Sequence, residues 1–169
     1  TFLSSQYTKS RILNLPQGWN WGWTPYNWGY SGSGFLWYGI EQPILDRAFD
    51  VWSNFNENYY WELVLSLFSH RYEDFELLLE KYQVSWVLFD PTVIPYQQSN
   101  RIFEVMNTEE YLAHTPKLVL EKTFGHLRLY RVNLKNASTH FVSVTTNLPN
   151  VGPQYQWANK DQAFTDYGT

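Results

Sequence analysis

Apolar positions recur most regularly in the middle of the chain. Tyr60, Leu63, Val64, Leu67 and Phe68 fall at i, i+3, i+4, i+7 and i+8 behind Asn54-Phe55-Asn56-Glu57, a start resembling a capping box, which predicts a helix over about residues 57–69. A second stripe, Phe75, Leu78, Leu79 and Tyr82, is opposed by Glu73, Asp74, Glu76 and Glu80 and predicts a helix over about 72–82. It ends near Lys81, a cation where the helix dipole favours one. Val84-Ser85-Trp86-Val87-Leu88-Phe89 follows at once as a continuous apolar run closed by Asp90-Pro91, the pattern of a strand buried on both faces. Helix, tight turn and buried strand together predict an α/β layer.

The flanks supply more strands. Arg11-Ile12-Leu13-Asn14-Leu15 is a short apolar run stopped by Pro16. Lys117 to Phe124 and His126 to Leu134 flank Gly125 as an antiparallel hairpin, and the parity of apolar positions changes at Leu129-Tyr130, where a bulge is expected. Gln42 to Trp52 allows a short strand or a single helical turn, and residues 100–113 predict a weaker helix or two short ones with Thr108-Glu109-Glu110 as a second start. The fold class is therefore α/β, a mixed β-sheet covered by helices. Residues 1–135 form the α/β domain. Residues 136–169 turn polar and carry one alternating stretch, Phe141-Val142-Ser143-Val144, expected as a short β extension or the start of a following domain.

Between the first strand and residue 38 the pattern changes character. From Trp19 to Tyr38 there are five Trp, three Tyr and one Phe interleaved with Gly22, Gly29, Gly32, Gly34 and Pro25, so regular helix is excluded at least as far as Gly34. Rings in such density read either as a stacking platform for sugar rings, whose hydroxyls the indole and phenol tips can bond, or as a lid packed over the sheet without secondary structure. Both readings can hold at once.

Charge and composition narrow the chemistry. Twelve Lys and Arg against sixteen Asp and Glu supply no basic stripe, so a general nucleic-acid binder is excluded. Without cysteine there is no disulfide and no thiolate zinc site. His70, His114, His126 and His140 show no i, i+4 pair, and no metal or other cofactor is expected. Gly29-Tyr30-Ser31-Gly32-Ser33-Gly34 is glycine-rich but lacks the Lys-Ser/Thr of a phosphate loop. Asn136-Ala137-Ser138 fits a glycosylation acceptor, a frequent chance match. Asp46, Arg47 and Asp50 gather two carboxylates and a guanidinium beside Trp52, a group suited to orienting a hydroxylated or phosphorylated ligand or, as an ion pair, to tying a loop down. No run of apolar residues is long enough to span a membrane. The chain starts at Thr1 and ends without a closing cap, which reads as a domain cut from a longer protein.

Arg11 to Pro16, the aromatic-glycine loop, Gln42 to Asp50, Phe75-x-x-x-Leu79-x-Lys81-Tyr82-x-Val84-x-Trp86-Val87-Leu88 and Leu127 to Val132 together carry a resemblance. In order and character these segments resemble the soluble extracytoplasmic region that follows the transmembrane helices in large bacterial membrane proteins of the GT-C glycosyltransferase type, oligosaccharyltransferase-like proteins included. The resemblance covers roughly residues 10–134. In oligosaccharyltransferases this region carries a Trp-Trp-Asp-Tyr-Gly motif that helps hold the acceptor peptide; Tyr26-Asn27-Trp28-Gly29-Tyr30 is a distant echo that lacks the Trp pair and the acid. It implies Trp28 and Tyr30 as candidates. In that class the catalytic acid and the lipid-linked donor site lie on loops of the membrane part, so this chain alone is expected to be inactive.

The expectation is thus a non-catalytic domain on the extracytoplasmic face of a bacterial membrane. Its partners are the transmembrane part of its parent protein and a glycan or lipid-linked sugar. Candidate ligand-binding residues are Trp21, Trp23, Tyr26, Trp28, Tyr30, Trp37, Asp46, Arg47, Asp50 and Trp52. One rival is a free-standing glycoside-processing enzyme that pairs Asp46 or Asp50 with an acid such as Glu41 or Glu62. The other is a structural or interaction domain whose aromatics simply pack.

Overall fold

The computed structural model describes residues 2–6, 10–17, 23–32, 35–46, 54–94, 108–135 and 137. In chain order its strands are β1 (Arg11–Leu15), β2 (Thr24–Pro25), β3 (Ser31–Gly32), β4 (Ile44–Leu45), β5 (Val84–Phe89), β6 (Leu118–Phe124) and β7 (Leu127–Val132). The helices are α1 (Asn54–Phe68), α2 (Tyr72–Lys81) and α3 (Thr108–His114), with short 3-10 turns at Leu3–Ser5 and Phe35–Tyr38. The main sheet is mixed, in the order β4-β1-β5-β7-β6. Its β4, β1 and β5 run parallel, while β7 and β6 are antiparallel to their neighbours. β2 and β3 form a separate antiparallel ribbon. The α/β fold with a mixed sheet is the one expected from the sequence.

Two apolar clusters lie on opposite faces of the sheet. On one, Leu13, Leu15, Val87, Phe89, Tyr130 and Val132 pack against Tyr59, Leu63 and Leu67 of α1, Phe75, Leu78 and Leu79 of α2, and Tyr111 and Leu112 of α3. On the other, Ile12, Trp86, Leu88 and Leu129 are covered by Phe2, Leu3, Leu36 and Ile40. Period-2 alternation assigns Ile12 to Leu15 and Trp86 to Phe89 to the two faces, while a register shift at Ser85 sets Val84 on the same side as Val87, which is why nearly every position from Val84 to Phe89 is apolar. The path from β1 to β4 moves one way along the sheet and the path from β4 to β5 moves back. Right-handed crossovers then require opposite faces, as the positions of Leu36 and of α1 and α2 show.

Four local expectations are refined. In α1, Tyr60, Leu63, Val64 and Leu67 are buried but Phe68 is 45% exposed. It lies about 80° round the helix from Tyr60, away from the side that Tyr59, Leu63 and Leu67 turn to the sheet. The parity change at Leu129-Tyr130 is not a bulge in β7, since Leu127 and Leu129 serve one cluster while Tyr130 and Val132 serve the other. The extra residue sits in the facing strand at Glu121, because Leu120 pairs with Tyr130 and Lys122 with Leu129. Gln42 to Trp52 resolves at Ile44–Leu45 into strand β4, and α3 occupies Thr108–His114. Residues 100–107, the Phe141-Val142-Ser143-Val144 stretch, and Asn136 and Ser138 of the acceptor pattern lie outside the described residues.

Candidate functional site

Within the aromatic segment, residues 24–32 form a small ribbon at the C-terminal end of the parallel strands. Thr24 pairs with Gly32 and Pro25 with Ser31. The turn between them is closed by Tyr26 N–H donating to Tyr30 O (2.8 Å) and Gly29 N–H to Tyr26 O (3.1 Å). Gly29 has φ +94°, a backbone region that L side chains rarely adopt. The ribbon is seated on the segment leaving β5: Asn27 N–H donates to Thr92 O and Ile94 N–H to Pro25 O, both at 2.8 Å, and Tyr26 bridges Val93. The loop after β1 supplies one face of the sheet with Leu36, whereas the chain after β5 supplies the other with Tyr111. In open α/β sheets this divergence of loops at strand C-termini is where ligands bind.

On this ribbon Trp28 and Tyr30 stack, with ring centroids 5.4 Å apart and planes 15° from parallel. Tyr26 supports both rings, at 5.2 Å from Trp28 and 5.8 Å from Tyr30. Trp28 is 57% exposed and Tyr26 only 5%, so Trp28 presents a surface and Tyr26 forms its base. The Trp28 indole donates from Nε1 to Thr92 Oγ1 (3.2 Å), and Trp23 donates from its indole to Ser31 Oγ (2.8 Å) across the ribbon.

Beneath the stack lies a carboxylate. Asp90, buried at the end of β5, accepts at Oδ1 from Thr92 N–H (2.9 Å) and Thr92 Oγ1 (2.6 Å), while its own N–H donates to Leu15 O (2.8 Å). A hydrogen-bonded path therefore runs from Asp90 through the Thr92 hydroxyl to the Trp28 indole. Burial pushes the Tyr26 phenol up to about 12, helped by the charges of Asp90 and Asp46 and by Tyr30. Asp46 follows β4, and its charge also reinforces the upward shift that burial imposes on Tyr59. Gln17, after β1, donates from Nε2 to Asn14 O and Leu45 O, both at 2.8 Å, which ties β1 to β4 at this end of the sheet.

Of the residues singled out from sequence, the structure brings Tyr26, Trp28, Tyr30 and Asp46 to this end of the sheet, with Trp23 on the same ribbon. Trp37 is exposed on the separate Phe35–Tyr38 turn, whose Leu36 packs on the opposite face from the helices. Trp21, Arg47, Asp50 and Trp52 lie outside the described residues. Glu41 is exposed on the segment before β4, and Glu62 on α1 is held by Lys81 at 3.0 Å. Among the described residues no three His, Asp or Glu come together as a metal site. Asp90 and Thr92 were not legible as site residues. Their one signal is an acid placed directly after a doubly buried strand.

No protein-family model and no curated protein sequence matches this chain. Among solved structures it is similar to arabinofuranosyltransferase AftD from Mycobacteria, with a TM-score of 0.53 and 14% identity over 81% of this chain. The match spans 12% of that far longer protein. At this identity the likeness is one of fold. Among the described residues no helix is long and apolar enough to cross a membrane.

Proposed function

We propose that this chain is a non-catalytic, glycan-recognising domain of a glycosyltransferase-like membrane protein, placed on the extracytoplasmic face and working beside the transmembrane part of its parent. The observation that carries the reading is the exposed Trp28 stacked nearly parallel on the half-buried Tyr30 at the C-terminal ends of β1 and β5. A flat apolar ring face with polar tips is suited to the face of a sugar ring. The fold likeness to an arabinofuranosyltransferase supports the same class and makes arabinofuranose oligomers the first ligands to try. Roles carried by Trp21, Arg47, Asp50 and Trp52 belong to the same proposal.

The test is a tryptophan-fluorescence titration of this chain against arabinofuranose and hexopyranose oligosaccharides and short peptides. Saturable change with a glycan, abolished by Trp28→Ala and retained in Trp37→Ala, is the expected result. A flat response to every glycan overturns the reading in favour of a structural domain.

A further inference from the structure

The geometry points to a charge filter at this site: the Trp28–Tyr30 face takes uncharged glycans and rejects sugars that carry phosphate or carboxylate. The inference rests on the glycan-binding reading and adds the chemical class of the ligand to it. A phosphorylated, lipid-linked sugar is thereby disfavoured here, and a neutral chain, the chemistry of an acceptor glycan, is favoured.

The argument starts from Asp90. Its carboxylate is fixed under the ribbon by both the N–H and the hydroxyl of Thr92, and that same hydroxyl receives the Trp28 indole. The stacking surface is thus two hydrogen bonds from a buried negative charge that water screens poorly. The Asp90 charge acts, with that of Asp46, on the Tyr26 phenol that supports the stack. Arg128, set opposite Phe89 by the β5–β7 register at the same end of the sheet, is engaged by Glu109 at 2.7 Å. The indole N–H, already given to Thr92, is also not offered to an anion.

The experiment compares a neutral oligosaccharide bound by the chain with the uronic-acid oligomer of the same linkage and length, using the fluorescence change as readout. At low salt the neutral ligand is expected to bind about five- to tenfold more tightly, the size of effect that one or two charges several ångströms away produce in a partly screened site. Raising the salt to about 0.5 M shrinks the screening length to a few ångströms and should lower the ratio in part, since a buried charge is screened less than an exposed one. Asp90→Asn, which keeps an acceptor for Thr92, should strengthen uronate binding. The salt arm needs no variant and stands even where Asp90→Asn does not fold. Equal affinities at low salt, with Trp28→Ala abolishing both, overturn the filter and leave the glycan reading intact. Binding of neither oligomer overturns both.

Discussion

The ring of Tyr30 lies over Gly32 so closely that a β-carbon on Gly32 would stand 2.7 Å from the Tyr30 Oη and 2.9 Å from its Cζ. The contact makes Gly32 a condition of the stack. Gly32→Ala must push the phenol ring aside, and that ring packs on Trp28 and Tyr26. The substitution is expected to cost about 1 kcal/mol of stability, at the low end for overpacking because a side-chain tip can move. The Trp28 environment should change with it. Near-ultraviolet circular dichroism and glycan affinity, both altered while the urea midpoint falls by about 0.5 M, check this.

Thr92 joins Asp90 to Trp28 through one hydroxyl. Thr92→Val keeps the shape and the backbone N–H but removes that hydroxyl, so the buried Asp90 loses a donor and the indole its acceptor. A loss of about 1–3 kcal/mol is expected, the range for leaving a buried polar group short of a partner. Thr92→Ser should restore most of it. Urea unfolding of the two variants measures the difference, and equal midpoints would sink the assignment.

The helix-side core makes an independent prediction. Phe75 on α2 is fully buried among α1, α3 and sheet residues, and Leu77, two positions on, is 68% exposed. Phe75→Ala should destabilise by about 3–5 kcal/mol through lost burial and the cavity it leaves. Leu77→Ala should stay within about 0.5 kcal/mol. Chemical denaturation of the pair tests whether α2 is oriented as described.

Alkali should loosen the protein by a defined route. Burial raises the phenols of Tyr59, Tyr111 and Tyr130 as well as Tyr26, the last to about 12. Each is raised in the folded state, so its contribution is fully present below the unfolded value of about 10 and is lost as pH rises toward the folded one. The unfolded chain gives up these protons first, and stability therefore falls with rising pH in this window. Melting temperatures should hold up to about pH 9.5 and then drop, with tyrosinate absorbance rising together with unfolding. An absorbance rise complete near pH 10 with the fold intact would contradict it.

What the sequence determined by itself is what depends on near neighbours along the chain. The stripes of α1 and α2, the doubly buried β5 and the hairpin about Gly125 follow from periodicity and turn chemistry, because a helix turn or a two-residue loop is closed by residues a few positions apart. The aromatic density between Trp19 and Tyr38 marked the region of interest in the same way. Only the tertiary structure decided how those rings are used. Strand pairing places the ends of β1 and β5 side by side, and the ribbon seated there joins Trp28 to Thr92 across 64 residues. The same pairing makes Asp90 the fixed acid beneath the stack. Contacts of this kind depend on which surfaces the folded chain brings together, and no local pattern in the sequence encodes them.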